Sequence, residues 1–257
     1  MTGTMRDELA VSLPYPTTGN LTQYLEELAG LGLDARPLLA LLPLLVPEGT
    51  KLDTAAAIFG LVVRIGTDVF FRCLDQALAY AAALRVGGPQ PSFRNVWRYE
   101  FNRSYSPREF TTPWCDPPVV DGSADPESDE YYKCHAGSQL YEFGVLGRGG
   151  PARQPDRDGR DIPFSRWLLD SWAAFARAGD PNPDPAWLRA RGFESTLERI
   201  TAVGATWSPV LPPGDGPRAG EPTSRLWQWE ARQVPFEDEA VCAVLGFGRD
   251  YYLRATY

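Results

Sequence analysis

The segment that decides the fold is Asn95-Val96-Trp97-Arg98-Tyr99-Glu100-Phe101. Trp97, Tyr99 and Phe101 share one face of this segment, and Val96, with the polar Arg98 and Glu100, occupies the other. An alternation with a period of two residues is typical of a β-strand. Helical patterns occupy much of the chain on both sides of the segment. The sequence therefore predicts an α/β fold.

Around this strand, the spacing of the apolar residues predicts most of the other elements. We expect helices over residues 21–29, 36–46, 54–64, 69–84 and 236–247 and from Ile162 onward, and further short strands over residues 206–209 and 224–229. Asp53 and Asp68 are predicted to cap the third and fourth helices, and Gly66 to separate them. No linker divides the apolar segments, so we expect one domain over residues 1–257.

The composition restricts the class of partner. The formal net charge is −8, and Lys51 and Lys133 are the only lysines. No basic patch with interleaved aromatic residues occurs, so nucleic acid is not an expected partner. The longest apolar run, residues 37–47, contains prolines and is shorter than the roughly 20 residues that span a bilayer, so we expect no membrane span. The N-terminal residues lack the apolar core of a signal peptide.

The chain has four cysteines, which are Cys73, Cys115, Cys134 and Cys242. A zinc site is poorly supported, because no Cys-x-x-Cys pair and only one histidine occur. An even number of cysteines fits two disulfides formed in an oxidising compartment, with three possible pairings. The alternative is a set of four buried free thiols, as in a cytosolic protein.

The only histidine lies in Tyr131-Tyr132-Lys133-Cys134-His135-Ala136-Gly137-Ser138. If an imidazole of this chain performs acid–base chemistry near neutral pH, it is that of His135. The alternative is a packed, hydrogen-bonded core histidine. The segment follows the strand and a long loop over residues 102–130, and loops of that length inside compact domains are usually functional or pinned by a disulfide.

A nucleophilic hydrolase also needs a nucleophile and an acid that orients the base. The sequence contains no Gly-x-Ser-x-Gly motif. Ser138 is a weak candidate nucleophile, because it lacks the second glycine and the strand–turn–helix setting of that motif. The residues by themselves therefore lead only to an α/β protein with one candidate base.

Four segments in this order resemble one known family. They are Gly3-Thr4-Met5-Arg6-Asp7-Glu8, Gly66-Thr67-Asp68-Val69-Phe70-Phe71-Arg72-Cys73, the strand followed later by Cys134-His135-Ala136-Gly137, and the helix from Ile162 that ends in Gly179-Asp180-Pro181-Asn182. The first resembles the pattern G-x-N-[KR]-D-E, which carries the acid of a catalytic triad. Together they resemble the C-terminal half of the type-B carboxylesterase family, and most closely its fungal branch.

The resemblance implies the C-terminal portion of an α/β-hydrolase fold, with an incomplete sheet and flanking helices. It implies carboxylic ester hydrolysis through an acyl-serine intermediate, with no metal or organic cofactor. The substrate of the complete enzyme would be a small-molecule carboxylic ester or a lipid. The family also implies a secreted, extracellular protein.

The resemblance further assigns individual residues. Glu8 is expected to be the triad acid and His135 the general base. The implied disulfides are Cys73 with Cys242 and Cys115 with Cys134. Asp68 is a rival for the acid, and Glu8 has the alternative of an exposed loop acid.

The sequence also departs from the family. Ser138 stands where an acidic residue is common, and the serine motif and oxyanion loop belong to the N-terminal half, which this sequence lacks. We expect a truncated or split product that is inactive alone, with a complementary N-terminal half as a partner. The alternative is a non-catalytic binding or adhesion-like module on the same scaffold.

Overall fold

The computed structural model describes residues 1–84, 94–106, 112–127, 130–147, 156–202, 206–211 and 220–254. Its strands are β1 (Thr2–Met5), β2 (Arg98–Phe101), β3 (Thr223–Trp227) and β4 (Arg232–Pro235). They form one sheet in the order β1-β2-β3-β4, in which the first three strands are parallel and β4 is antiparallel to β3. Within the described residues, the outer edge of β1 has no strand partner.

Helices precede, separate and follow these strands. They are α1 (Leu21–Gly30), α2 (Leu38–Leu45), α3 (Ala55–Thr67), α4 (Cys73–Ala83), α5 (Gln139–Glu142), α6 (Asp161–Ala178), α7 (Pro185–Arg191), α8 (Glu194–Thr201), α9 (Glu239–Val244) and α10 (Tyr251–Arg254). The 3₁₀ turn Glu8–Val11 follows β1. Helices combined with a mainly parallel sheet give the α/β architecture that the sequence predicts. In the described part of the chain, no helix is long and apolar enough to cross a membrane.

Residues 55–83 form one continuous helix rather than two. The π-helical turn Asp68–Arg72 joins α3 to α4, and Asp68 has helical backbone angles of φ −61° and ψ −48°. The predictions that Asp68 caps a helix and that Gly66 separates two helices are therefore wrong. A Cβ atom on Gly66 would lie 3.1 Å from Cγ of Leu9, so the glycine allows close packing instead. Thr54, rather than Asp53, caps α3 by accepting a hydrogen bond from Ala57 N–H.

The predicted strands are partly confirmed. β2 lies within one predicted segment and β3 overlaps another, but residues 206–209 are irregular. Val210, just after them, donates its N–H to the carbonyl of Val96 at 2.8 Å, outside any strand. β4 was missed because its exposed and half-buried residues carry little apolar alternation.

One face of the sheet is apolar and packs against α6. Phe101 of β2 and Trp227 of β3 share a buried cluster with Phe164 and Trp167 of the helix. The ring centroids of Trp167 and Trp227 are 4.7 Å apart. Burying one such aromatic side chain contributes about 1.5–3 kcal/mol, so this face holds α6 against the sheet.

The opposite face is polar and contacts the continuous helix of residues 55–83. Arg98 of β2 forms a 2.9 Å ion pair with Asp75, and Glu100 forms a 3.0 Å ion pair with Arg72. Both arginines are almost completely buried. The polar positions of the alternating segment therefore face a buried ionic layer instead of solvent.

One disulfide joins two helices, and a second joins two irregular segments. Cys73 at the start of α4 is bonded to Cys242 of α9, and Cys115 is bonded to Cys134. These are the same two pairs as the resemblance implies. The alternative of four free thiols is wrong, because none of the cysteines is free.

Candidate functional site

The candidate site lies where two neighbouring parallel strands end. Glu8 follows the last residue of β1 in the turn Glu8–Val11, and β2 leads through the long loop to His135. Within that loop, residues 107–111 and 128–129 are outside the described part of the chain. The carboxyl ends of parallel strands lie at one edge of a sheet, and ligands of open α/β sheets bind there. Glu8 and His135 therefore reach the same edge from different strands.

Glu8 and His135 are in direct contact. Oε2 of Glu8 lies 2.5 Å from Nδ1 of His135, and Oε1 of Glu8 accepts the N–H of Met5 at 2.7 Å. The carboxylate is buried, while 51% of the His135 side chain is exposed. The hydrogen bond and the charge of Glu8 raise the pKa of His135 above its ordinary value. This geometry places the proton of the imidazole on Nδ1 and orients the ring.

The other ring nitrogen of His135 is open. Among the residues that the structure describes, Nε2 has no hydrogen-bond partner. Phe71 lies beside the ring, with 5.8 Å between the two centroids. A buried acid on one nitrogen and an unoccupied nitrogen on the other side is the arrangement that a general base requires.

A disulfide and a tight turn fix the backbone around His135. Cys134, its immediate neighbour, is covalently bonded to Cys115. Ala136 has a φ of +62°, a left-handed conformation that is uncommon outside glycine. A Cβ on Gly137 would lie 2.5 Å from Cβ of Ser104, so only glycine fits there.

The rivals for these roles lie elsewhere. Asp68 is fully buried and forms an ion pair with Arg72, and its burial raises its pKa to about 6. Glu8, and not Asp68, contacts His135. Ser138 is buried, so it does not have the exposed setting of a nucleophile.

The sequence reasoning missed one feature of the site. Asp7, next to the acid, binds Lys133, two residues before the base, through both its backbone and its side chain. The only sequence signal for this contact is the place of Asp7 in the acid-bearing segment. The contact ties the two loops of the site together.

An apolar cavity of about 320 Å³ lies next to the turn that carries Glu8. Leu9, the residue after the acid, lines the cavity together with Val62, Val69 and Phe70 of the continuous helix of residues 55–83. Phe70 is largely exposed and precedes Phe71, the residue whose ring lies beside that of His135. The cavity therefore adjoins the segments next to the pair, while neither Glu8 nor His135 is among the lining residues that the structure describes.

Three aspartates form a separate acidic cluster. Asp156, Asp158 and Asp161 offer oxygens that lie within 4.8 Å of one another. Arg103 bonds Asp158 at 2.7 Å and Asp161 at 2.8 Å, and Arg157 bonds Asp161 at 2.9 Å. The arginines compensate Asp158 and Asp161, and Asp156 accepts the N–H of Asp161, so we assign no cation to the cluster.

Comparison with known proteins does not add a family to this description. The chain matches no protein-family model, and no curated protein matches it. The contact between Glu8 and His135 therefore carries the functional argument.

Proposed function

We propose that this chain supplies the acid and the base of a serine carboxylesterase built on the α/β-hydrolase scaffold of the type-B family. The observation that carries the proposal is the 2.5 Å contact between Glu8 and His135 at the carboxyl edge of parallel strands. The open Nε2 of His135 is the second requirement of such a base. The motifs that resemble the family lie at these same positions.

In this proposal His135 transfers protons in both halves of the reaction. Nε2 accepts the proton of a serine hydroxyl as its oxygen attacks the ester carbonyl, and the resulting imidazolium donates that proton to the departing alcohol. Water then attacks the acyl carbon while Nε2 takes its proton, and the imidazolium returns that proton to the serine oxygen as the acyl–oxygen bond breaks and the carboxylic acid leaves. Glu8 holds Nδ1–H throughout and stabilises the imidazolium without itself becoming protonated.

The nucleophile of this reaction comes from residues beyond these 257. No Gly-x-Ser-x-Gly motif occurs in the sequence, and Ser138 is buried. The imidazole of His135 is half exposed. The serine-bearing segment, or a complementary chain, would contact the base there. Oxyanion donors would come with it.

The apolar cavity next to the turn of Glu8 favours an apolar ester, either a small-molecule carboxylic ester or a lipid. The cavity beside Leu9 and Phe70 suits an acyl or alcohol chain, because burial of apolar surface drives the binding of such groups. Two disulfides are typical of proteins in oxidising compartments, which supports a secreted protein.

A first experiment tests the missing nucleophile. Hydrolysis of p-nitrophenyl butyrate is measured with the purified chain and with its His135→Ala variant. We expect no saturable, catalytic turnover by either protein. Steady turnover that His135→Ala abolishes would show that the chain contains its own nucleophile, and would contradict this part of the proposal.

A second experiment tests the roles of acid and base. The same assay is run on a longer protein that joins this chain to its natural upstream sequence, if that sequence encodes Gly-x-Ser-x-Gly in frame. We expect hydrolysis that His135→Ala reduces by about 10³-fold or more. A longer protein that folds and binds a partner but hydrolyses no ester would instead favour a non-catalytic binding module.

A further inference from the structure

The loop of the acid and the loop of the base are joined by a contact with two hydrogen bonds. The N–H of Asp7 donates to the carbonyl of Lys133 at 3.1 Å. The N–H of Lys133 in turn donates to Oδ2 of Asp7 at 2.8 Å. Asp7 adjoins Glu8, and Lys133 lies two residues before His135. The contact therefore joins the segment of the acid to the segment of the base.

The side chain of Asp7 is itself held in place. Oδ2 also accepts Nε–H of Arg6 at 2.8 Å, and Nη2 of Arg6 donates to the carbonyl of Tyr131 at 2.9 Å. Only 12% of the Asp7 side chain is exposed. A charged acceptor that receives backbone and arginine donors in a shielded place makes strong, well-directed hydrogen bonds.

We infer that Asp7 is a positioning residue, which acts through Lys133 to hold His135 against Glu8. It does not touch the imidazole, so its effect on the reaction is indirect. The inference rests on the proposed function for its catalytic meaning, while the structural effect on the pair is measurable without any substrate.

The physical reason is the unpaired donor that loss of the Asp7 carboxylate would leave. Lys133 is buried, and a buried N–H without an acceptor is unfavourable enough for the local backbone to move towards solvent. Cys134 and His135 follow directly in the chain. A shift of that segment lengthens the contact between Nδ1 of His135 and Oε2 of Glu8, and with it removes the interaction that raises the pKa of His135.

The single histidine gives a direct measurement. The pKa of His135 is determined by NMR titration of its imidazole proton in the wild-type chain and in variants. We expect Glu8→Gln to lower this pKa, and Asp7→Ala to lower it by at least half as much. Glu130→Gln is the matched control, because it removes an exposed carboxylate that also pairs with Arg6, and it should leave the pKa unchanged.

A second variant separates the hydrogen bond from the charge. Asp7→Asn removes the charge but keeps an oxygen that can accept Lys133 N–H, so we expect a pKa of His135 close to the wild-type value. A folded Asp7→Ala variant with the wild-type pKa would overturn the inference. If Asp7→Ala does not fold, Asp7→Ser takes its place, because its shorter side chain withdraws the acceptor from Lys133 N–H: a wild-type pKa then overturns the inference, and a lowered pKa supports it.

The outcomes also separate this inference from the proposed function. If Asp7→Ala and Glu8→Gln both lower the pKa of His135 but the longer protein hydrolyses no ester, the proposed function fails and the positioning role stands. If the longer protein is an esterase that needs His135 and Asp7→Ala changes neither the pKa nor kcat, the positioning role fails alone.

Discussion

Glu8 and His135 are 127 positions apart in the chain, and their side chains are joined by a 2.5 Å contact between Oε2 and Nδ1. Because the contact raises the pKa of His135, the imidazole binds its second proton more strongly in the folded protein than in the unfolded chain. The resulting stabilisation is fully present below the unfolded pKa of about 6.5. It is lost as the pH rises through the higher folded pKa.

Glu8→Gln should therefore destabilise the chain more in acid than in base. We expect the decrease in melting temperature relative to wild type to be larger at pH 5.5 than at pH 8.5, since the charge of Glu8 attracts the imidazole of His135 most strongly while that ring is protonated. The measurement is thermal unfolding followed by circular dichroism at both pH values. Asp34→Asn, in an exposed pair with Arg36, is the control. An equal decrease at both pH values would contradict the expectation.

The disulfide beside His135 should contribute to both stability and the site. Cys115 and Cys134 are 19 residues apart, and Cys73 and Cys242 are 169 apart. Loop entropy gives about 3 kcal/mol for the short loop and about 5 kcal/mol for the long one. We expect the double Cys→Ser variant of either pair to unfold at lower denaturant concentration, and the long-loop variant to lose more.

The same variants distinguish a local effect from a global one. Only the loss of the Cys115–Cys134 bond should lower the pKa of His135 in the folded chain, because only that bond holds the residue next to it. NMR titration of the single imidazole measures this. If the pKa of His135 changes equally in both double variants, the Cys115–Cys134 disulfide has no specific role at the site.

Local sequence patterns were sufficient for some elements of the fold. The alternation around Trp97 and Phe101 predicted β2, and the apolar stripe after Ile162 predicted α6, because both patterns state which face is buried. The prediction at Asp68 was wrong because its carboxylate pairs with Arg72 inside the helix. The i,i+4 spacing of the two residues in a continuous helix competes with the capping preference of an aspartate.

The candidate site was less accessible to residue-by-residue reasoning. His135 stood out because it is the only histidine, but nothing local joins it to Glu8. That pairing followed only from a resemblance to known sequences. The contact between Asp7 and Lys133 depends on how two distant loops lie against each other, and a single sequence carries no signal for such a long-range register.

The buried ion pairs of Arg72 should be important for stability. Its guanidinium bonds the carboxylates of Asp68 and Glu100 and donates to the carbonyl of Arg6 at 2.8 Å. Removal of one partner from a buried pair leaves an uncompensated charge, which costs roughly 3–5 kcal/mol. We therefore expect Arg72→Met to lower the free energy of unfolding by about that amount in urea denaturation.

Arg36→Met provides the comparison for Arg72→Met. Arg36 pairs with Asp34 at the surface, and both side chains are more than half exposed. Exposed pairs contribute about 0–1 kcal/mol, so this variant should unfold almost as the wild type does. Similar losses for the two variants would show that the buried layer under β2 does not depend on its charges.

Glu237 should make the stability of the chain fall as the pH rises. Its burial and the neighbouring Glu100 raise its pKa from 4.5 to about 7. The folded state therefore retains a proton that the unfolded chain releases, so the stabilisation is complete below pH 4.5 and is lost as the pH rises to about 7. Glutamine resembles the protonated carboxyl group but cannot ionise.

Glu237→Gln should consequently have wild-type stability near pH 4.5 and exceed the wild type above pH 7. Full conversion of the pKa difference would give about 3 kcal/mol, and the partial exposure of the side chain reduces the expected gain to about 1–2 kcal/mol. Urea denaturation at several pH values measures it. Glu239→Gln, two residues later and in a surface pair with Arg249, should show no such gain. A gain for Glu237→Gln that is the same at pH 4.5 and pH 8 would mean that packing, and not the retained proton, distinguishes the two side chains.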